Sequence, residues 1–176
     1  MDKKPTIAVS SCILGNRVRY DGELKHFPDI CSRLEQHFEL IAVCPEVEIG
    51  LGVPRPPLQL TGMADHPGMT GRDDPTIDVS PEMYAYCREK PSTLKHIAGF
   101  VFKSRSPSCG LRGIPLLNQG KIIKHNLRGL FAQAMVEACP ELPVIEETEL
   151  VSSQQQEHFI QQVLNYYKKT NPFING

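Results

Sequence analysis

No two of the six cysteines are spaced Cys-x-x-Cys. That absence weighs against a zinc ribbon and against a thioredoxin-like dithiol, both of which need the paired spacing. It also weighs against ferredoxin-type sites, whose cysteines come in tight runs. No Gly-x-Gly-x-x-Gly occurs, and Gly50 with Gly52 makes no phosphate loop. The six histidines lack metal-ligand spacing, and no Ser-His-Asp order of a hydrolase triad is legible. No apolar run is long enough to span a bilayer, and the run after Met1-Asp2-Lys3-Lys4-Pro5 is too short for a signal peptide. The expected compartment is the cytoplasm, with no membrane partner. Cysteines in that reducing setting are not expected to form a disulfide framework. A formal net charge of −1 supplies no overall field toward nucleic acid or anionic lipid.

What is present alternates between strand and helix. The length of 176 residues suits one compact domain, residues 1–176. Thr6 to Ser10, Leu40 to Cys44 and Gly99 to Lys103 are short apolar strands, and Leu142 to Ile145 is a weaker fourth. Phe27 to Phe38 has helical spacing, with Ile30, Cys31, Leu34 and Phe38 on one face. Ser80 and Pro81 read as N-cap and first helical residue of a helix to about Lys90, with a second short helix before Ile97. Asn126 to Cys139 carries an apolar face of Phe131, Met135 and Cys139. Ser153 with Gln156 resembles a capping box that opens a last helix to about Lys169. The segment Pro45–Val79, rich in Pro, Gly, Met and Asp, reads as a long functional or mobile loop. The expected fold is α/β: a single-domain three-layer sandwich, with a mostly parallel sheet of about four strands and helices on both faces.

The cysteines divide into two sets. Cys31, Cys87 and Cys139 fall on apolar helix faces, where a free thiol packs as a small hydrophobe. Cys12, Cys44 and Cys109 instead follow expected strands, in turns crowded with Gly, Ser and Pro. The carboxyl ends of parallel strands form the binding edge of an α/β sheet. Three thiols there would meet, as ligands for an iron–sulfur cluster or a metal. Each alone would be read as a small buried side chain. Three protein ligands would leave one iron open, as a catalytic metal requires.

Other residues flank them. Glu46 is a carboxylate beside an apolar strand end, where burial would raise its pKa and suit it to proton transfer. Arg17, Arg19 and Arg55 are candidates to hold an anionic or carbonyl-bearing substrate, and Lys103 ends its strand beside Ser104. Ser104, Ser106 and Ser108 bring hydroxyls to the Cys109 turn.

Ser10-Ser11-Cys12-Ile13-Leu14-Gly15, Val18-Arg19-Tyr20-Asp21-Gly22, Cys44-Pro45-Glu46 through Pro54-Arg55, and Phe102-Lys103-Ser104-Arg105-Ser106-Pro107-Ser108-Cys109-Gly110 form a specific combination. Together with Gly129-Leu130-Phe131-Ala132, Pro143-Val144-Ile145-Glu146-Glu147 and Glu157-His158-Phe159-Ile160, it resembles the thiouracil desulfurase (TudS-like) family over nearly the whole chain. Thr148-Glu149-Leu150 departs from the Arg-Leu often found after the family's Glu-Glu pair.

The resemblance implies a 4Fe–4S cluster on Cys12, Cys44 and Cys109. It implies C–S cleavage of a small thiolated uracil base or nucleotide with release of sulfide. Glu46 and Ser106 are then the expected catalytic groups. Ser10, Arg17, Asp21, Arg55, Lys103 and Ser104 are the expected substrate-binding set. Two other classes stay open: a non-enzymatic iron–sulfur or zinc protein acting as sensor or sulfide carrier, and a module for thiolated tRNA. Near-neutral charge disfavours the last.

Overall fold

The computed structural model describes residues 3–24 and 27–172. In chain order the elements are β1 (Thr6–Ser10), α1 (Pro28–Glu35), β2 (Glu39–Val43), α2 (Pro45–Glu48), β3 (Leu58–Met63), β4 (His66–Gly71) and α3 (Ser80–Thr93). They continue as β5 (Phe100–Phe102), β6 (Ile114–Asn118), β7 (Lys121–Leu127), α4 (Leu130–Ala138), β8 (Val144–Glu146), a 3-10 turn (Glu147–Glu149) and α5 (Ser153–Thr170).

Four strands form a wholly parallel sheet in the order β2-β1-β5-β8. Parallel strands are covered on both faces, so their residues are apolar without alternation. Ile7, Val9 and Val101 pack on Ile30 and Leu34 of α1 and on Phe159 and Val163 of α5. Ala8, Phe100 and Phe102 face the other way, onto Phe131 and Met135 of α4 and onto Leu94 and Ile97 after α3. This is the α/β arrangement expected, with helices on both faces.

A second four-stranded sheet, in the order β4-β3-β6-β7, joins two antiparallel hairpins through a parallel β3–β6 pairing. Leu60, Met69 and Leu116 from this sheet pack with Met83 of α3 and Leu130 of α4. Helices α3 and α4 thus contribute to the cores of both sheets. The Pro45–Val79 segment is therefore not a long loop: it holds α2, β3 and β4. Pro67 and Gly68 hide β4, but it is an edge strand, where such residues are tolerated. The expected helix from Asn126 begins only at Leu130, because β7 runs through Leu127. The β6–β7 turn is Gln119-Gly120, with φ of 49° and 74°. A two-residue turn with both φ positive matches strand twist, but Asn-Gly is its usual signature.

Smaller boundaries also move. Val79, not Ser80, is the N-cap of α3. The Asp78 carboxylate accepts the Ser80 N–H at 2.9 Å. That helix continues through Pro91 to Thr93 as one element. The capping box of α5 is Ser152 with Gln155, one residue earlier than expected. All six cysteines are free: Cys31 is buried, while Cys87 and Cys139 are half-buried against the core. Among the described residues no helix is long and apolar enough to cross a membrane.

Candidate active site

Strands β2, β1 and β5 are neighbours and run the same way, so their carboxyl ends share one edge. Cys44 directly follows β2, Cys12 lies in the turn after β1, and Cys109 lies in the turn after β5. All three line one cavity of about 420 Å³. Ser10, Glu46, Arg55, Lys103, Ser104 and Ser106 are in the same wall.

Each turn is fixed by its own hydrogen bonds. After β1, the Ser11 N–H donates to Val43 O at 2.8 Å and the Ile13 N–H to Ser10 O at 2.9 Å. Cys44 is the N-cap residue of α2, and its N–H donates to Glu48 Oε1 at 3.3 Å. The Ser106 hydroxyl accepts the N–H groups of Ser108 at 3.2 Å and Cys109 at 3.0 Å. The N-terminal end of α4 closes onto this turn: Gly129 N–H donates to Gly110 O at 2.7 Å and Phe131 N–H to Ser108 O at 3.0 Å. A Cβ on Gly129 would lie 2.5 Å from Ser108 C and 2.8 Å from Cys109 N. Only glycine allows that approach. Glu146, at the end of β8, accepts the Leu111 N–H at 2.7 Å and secures the far side of the turn.

Burial dominates the thiols. It pushes Cys12 up to about 11, against the pull of the Lys103 ammonium. It raises Cys44 as well. Burial also raises Cys109 well above its ordinary value, with the Ser10 hydroxyl opposing. Cys44 acts on Cys12, and both act on Cys109, so the three would repel one another as thiolates. A bound cation would offset that repulsion and stabilise the deprotonated ligands. Among the described residues no group of three or more His, Cys, Asp and Glu is arranged to hold a metal ion. The thiols line a shared cavity rather than meeting at a point. As a donor set, three soft sulfurs on three anchored turns fit a soft iron–sulfur group.

The carboxylates are more tightly engaged than the sequence implied. Glu46 is buried, accepting Arg55 Nε at 2.8 Å on one oxygen and the Ser108 hydroxyl at 2.9 Å on the other. The Arg55 and Glu46 side chains are only 6% and 12% exposed. Burial therefore does not act on Glu46 alone: a guanidinium pairs with it. A second buried carboxylate, Glu147, takes the Lys103 ammonium, the Ser104 N–H at 2.7 Å and the Ser104 hydroxyl at 2.7 Å. The Ser104 proton is thus committed to Glu147. Ser106 differs: its oxygen accepts two backbone N–H groups, and among the described residues its hydroxyl proton has no protein acceptor. That leaves Ser106 as a fixed donor in the cavity wall.

Two expected residues lie elsewhere. Arg17 is exposed and not part of the lining. Asp21 is also outside it: its carboxylate is held by Arg19 at 3.1 and 2.6 Å and accepts the Glu23 N–H at 3.0 Å. The paired Arg19 guanidinium holds the Asp21 carboxyl down at about 2. Arg19 itself does line the cavity, as do Arg72 and Arg105, which sequence reasoning passed over. Arg105 takes a left-handed φ of 59°. Glu147 was also missed as a site residue, whereas Ser108 was expected only as one of the hydroxyls at the Cys109 turn. The available signal for Glu147 was two acids at the carboxyl end of a strand.

A larger cavity, about 880 Å³, lies among α3, α4 and the β3–β4 turn. It includes Cys87 but none of the three strand-end thiols. The smaller cavity carries the concentrated chemistry and is the candidate site.

Comparisons with known proteins follow the same lines. No curated protein matches the sequence. A solved structure described as a [4Fe-4S]-dependent thiouracil desulfidase, TudS, is similar with a TM-score of 0.61 and 27% identity. The alignment covers 84% of this chain and 93% of that one. The 2-thiouracil desulfurase family model matches residues 7–147, which include all three strand-end cysteines, Glu46, Ser106 and Glu147. The chain therefore belongs to the 2-thiouracil desulfurase family and is a desulfurase.

Proposed function

We propose that this enzyme removes sulfur from a small thiolated uracil base or nucleotide and releases sulfide, using a 4Fe–4S cluster held by Cys12, Cys44 and Cys109. The observation that carries this reading is the convergence on one cavity of three thiols, Cys109 buried and Cys12 and Cys44 half-buried, from the ends of three adjacent parallel strands. The solved desulfidase that resembles this chain is [4Fe-4S]-dependent, which supports the same cofactor here.

When bound, the cluster supplies a soft Lewis-acidic iron without a protein thiolate, suited to a thiocarbonyl sulfur. The protein supplies the rest. Ser106 donates its free hydroxyl proton toward the substrate, its oxygen held by the Ser108 and Cys109 N–H groups. Glu46 moves protons at the cavity wall, with Arg55 and Ser108 fixing both of its oxygens. Lys103, clamped by Glu147, places positive charge beside Cys12. Ser10 ties the β5 end to the β1 end by accepting the Lys103 N–H at 2.9 Å. Arg19 and Arg105 add cationic groups to the wall for an electron-rich, carbonyl-bearing ring. Arg17 and Asp21 drop out of the substrate-contact set, and Asp21 acts by orienting Arg19.

The test is anaerobic reconstitution followed by sulfide measurement with thiouracil and with its nucleotide. The reading expects iron-dependent sulfide release from at least one of them. Protein that binds no iron, or that binds it and releases no sulfide from either, would contradict it.

A further inference from the structure

Four of the five tyrosines pack on the core: Tyr84 and Tyr86 from α3, Tyr166 and Tyr167 from α5. Tyr20 belongs to no core cluster and makes no aromatic pair among the described residues. It is 37% exposed and lines the cavity of the three strand-end thiols. Among the described residues it is the one aromatic residue in that wall. Core packing therefore gives no reason for a ring at this position.

The chain beneath the ring is nevertheless fixed. Tyr20 sits in a turn that the Gly22 N–H closes onto Arg19 O at 3.0 Å. The Arg55 N–H donates to Tyr20 O at 2.7 Å, which ties this turn to the residue paired with Glu46. The Arg19 guanidinium, gripped by Asp21 at 3.1 and 2.6 Å, stands 5.9 Å from the Tyr20 ring centroid. A cation at that distance attracts the ring face. A side chain set in place this way loses little freedom when a ligand meets it. Heterocyclic bases stack on aromatic side chains, and no other aromatic face lines this cavity among the described residues.

We propose that the Tyr20 ring is the face on which the pyrimidine ring of the substrate stacks. Tyr20 is then a specificity-determining residue that selects flat thiolated heterocycles over ring-saturated ones. This rests on the reading that the cavity takes a thiolated uracil. A contact to the ring face, away from the sulfur being removed, acts on KM more than on kcat.

The experiment compares reconstituted full-length wild type, Tyr20→Phe and Tyr20→Leu on thiouracil and on its ring-saturated dihydro form. The dihydro form keeps the thiocarbonyl but has lost the flat π face. The corresponding nucleotides are used if wild type turns over only the nucleotide. Iron content, KM and kcat are read in each, with Ki in place of KM if the dihydro form is not turned over. Tyr20→Phe should keep the wild-type constants. Tyr20→Leu should raise KM for thiouracil by about 10-fold or more with kcat little changed, and leave the dihydro constant within about 2-fold. A displaced Arg19 would weaken both ligands alike, so only a lost aromatic face separates them. Equal changes for the two ligands, or none, would overturn the inference and leave the proposed function standing. If Tyr20→Leu loads no iron, Tyr20→Met decides in its place. Iron lost from both would overturn the inference, because the ring would then be holding the turn. Wild type that releases no sulfide from thiouracil or its nucleotide would remove the proposed function and the inference together.

Discussion

Arg55→Met tests whether the Glu46 carboxylate depends on its buried counter-charge. Arg55 Nε lies 2.8 Å from Glu46 Oε2, and the two side chains are 6% and 12% exposed. Removing the guanidinium leaves Glu46 with the Ser108 hydroxyl alone. Breaking such a pair from one side costs about 3–5 kcal/mol, because the remaining charge stays buried. For a protein of this size, one kcal/mol shifts Tm by about 2–4 °C. The single variant should therefore melt about 6–20 °C below wild type. Adding Glu46→Gln removes the stranded charge and keeps an acceptor for Ser108, so the double variant should recover most of the loss. Thermal and urea unfolding of the metal-free, reduced protein measure this without interference from cluster loss. A fall of less than about 2 °C in the single variant would refute the reasoning. So would a double variant no more stable than the single.

Gly129→Ala would place a Cβ 2.5 Å from Ser108 C, forcing α4 away from the Cys109 turn. It should cost about 1–3 kcal/mol and reduce iron loading, as unfolding curves and iron content would show. Ser106→Ala leaves the N–H groups of Ser108 and Cys109 without their acceptor and removes the free donor. Stability should fall by about 1–3 kcal/mol. Sulfide release per loaded cluster should fall by about 100-fold or more, and an unchanged rate would exclude Ser106 from proton transfer. Asp21→Asn probes the acid limb of stability. The Asp21 carboxyl is held at about 2, below its ordinary value near ~3.9. Its contribution is present above the ordinary value and lost as pH falls toward the folded value. The variant should show a flatter stability slope between about pH 4 and pH 2, and identical slopes would contradict the Arg19 clamp.

The parallel sheet was legible because its strands are buried on both faces. Ile7-Ala8-Val9 and Phe100-Val101-Phe102 are uninterrupted apolar runs, which is what such burial demands. The thiol set was legible for a related reason: cysteines placed just beyond such runs share the carboxyl edge. The second sheet was hidden by edge strands that need little apolar pattern. Pro67-Gly68 in β4 and Lys121-Ile122-Ile123-Lys124 in the largely exposed β7 carry no alternation that marks a buried face. The clamps within the site were hidden by distance along the chain. Ser108 meets Glu46 across 62 positions, and Lys103 meets Glu147 across 44. No local pattern encodes such contacts, so Glu46 read as a lone buried acid and Glu147 as motif without role.

The central claim is that Cys12, Cys44 and Cys109 together hold the cluster. Iron and acid-labile sulfide per chain, measured after purification without oxygen, test it most directly. Wild type, Cys31→Ser and Cys139→Ser should each carry about four of both. Cys12→Ser, Cys44→Ser and Cys109→Ser should each lose them, because a hydroxyl is a poor ligand for soft iron. Full iron content in any of these last three, or loss confined to the helix cysteines, would contradict the account.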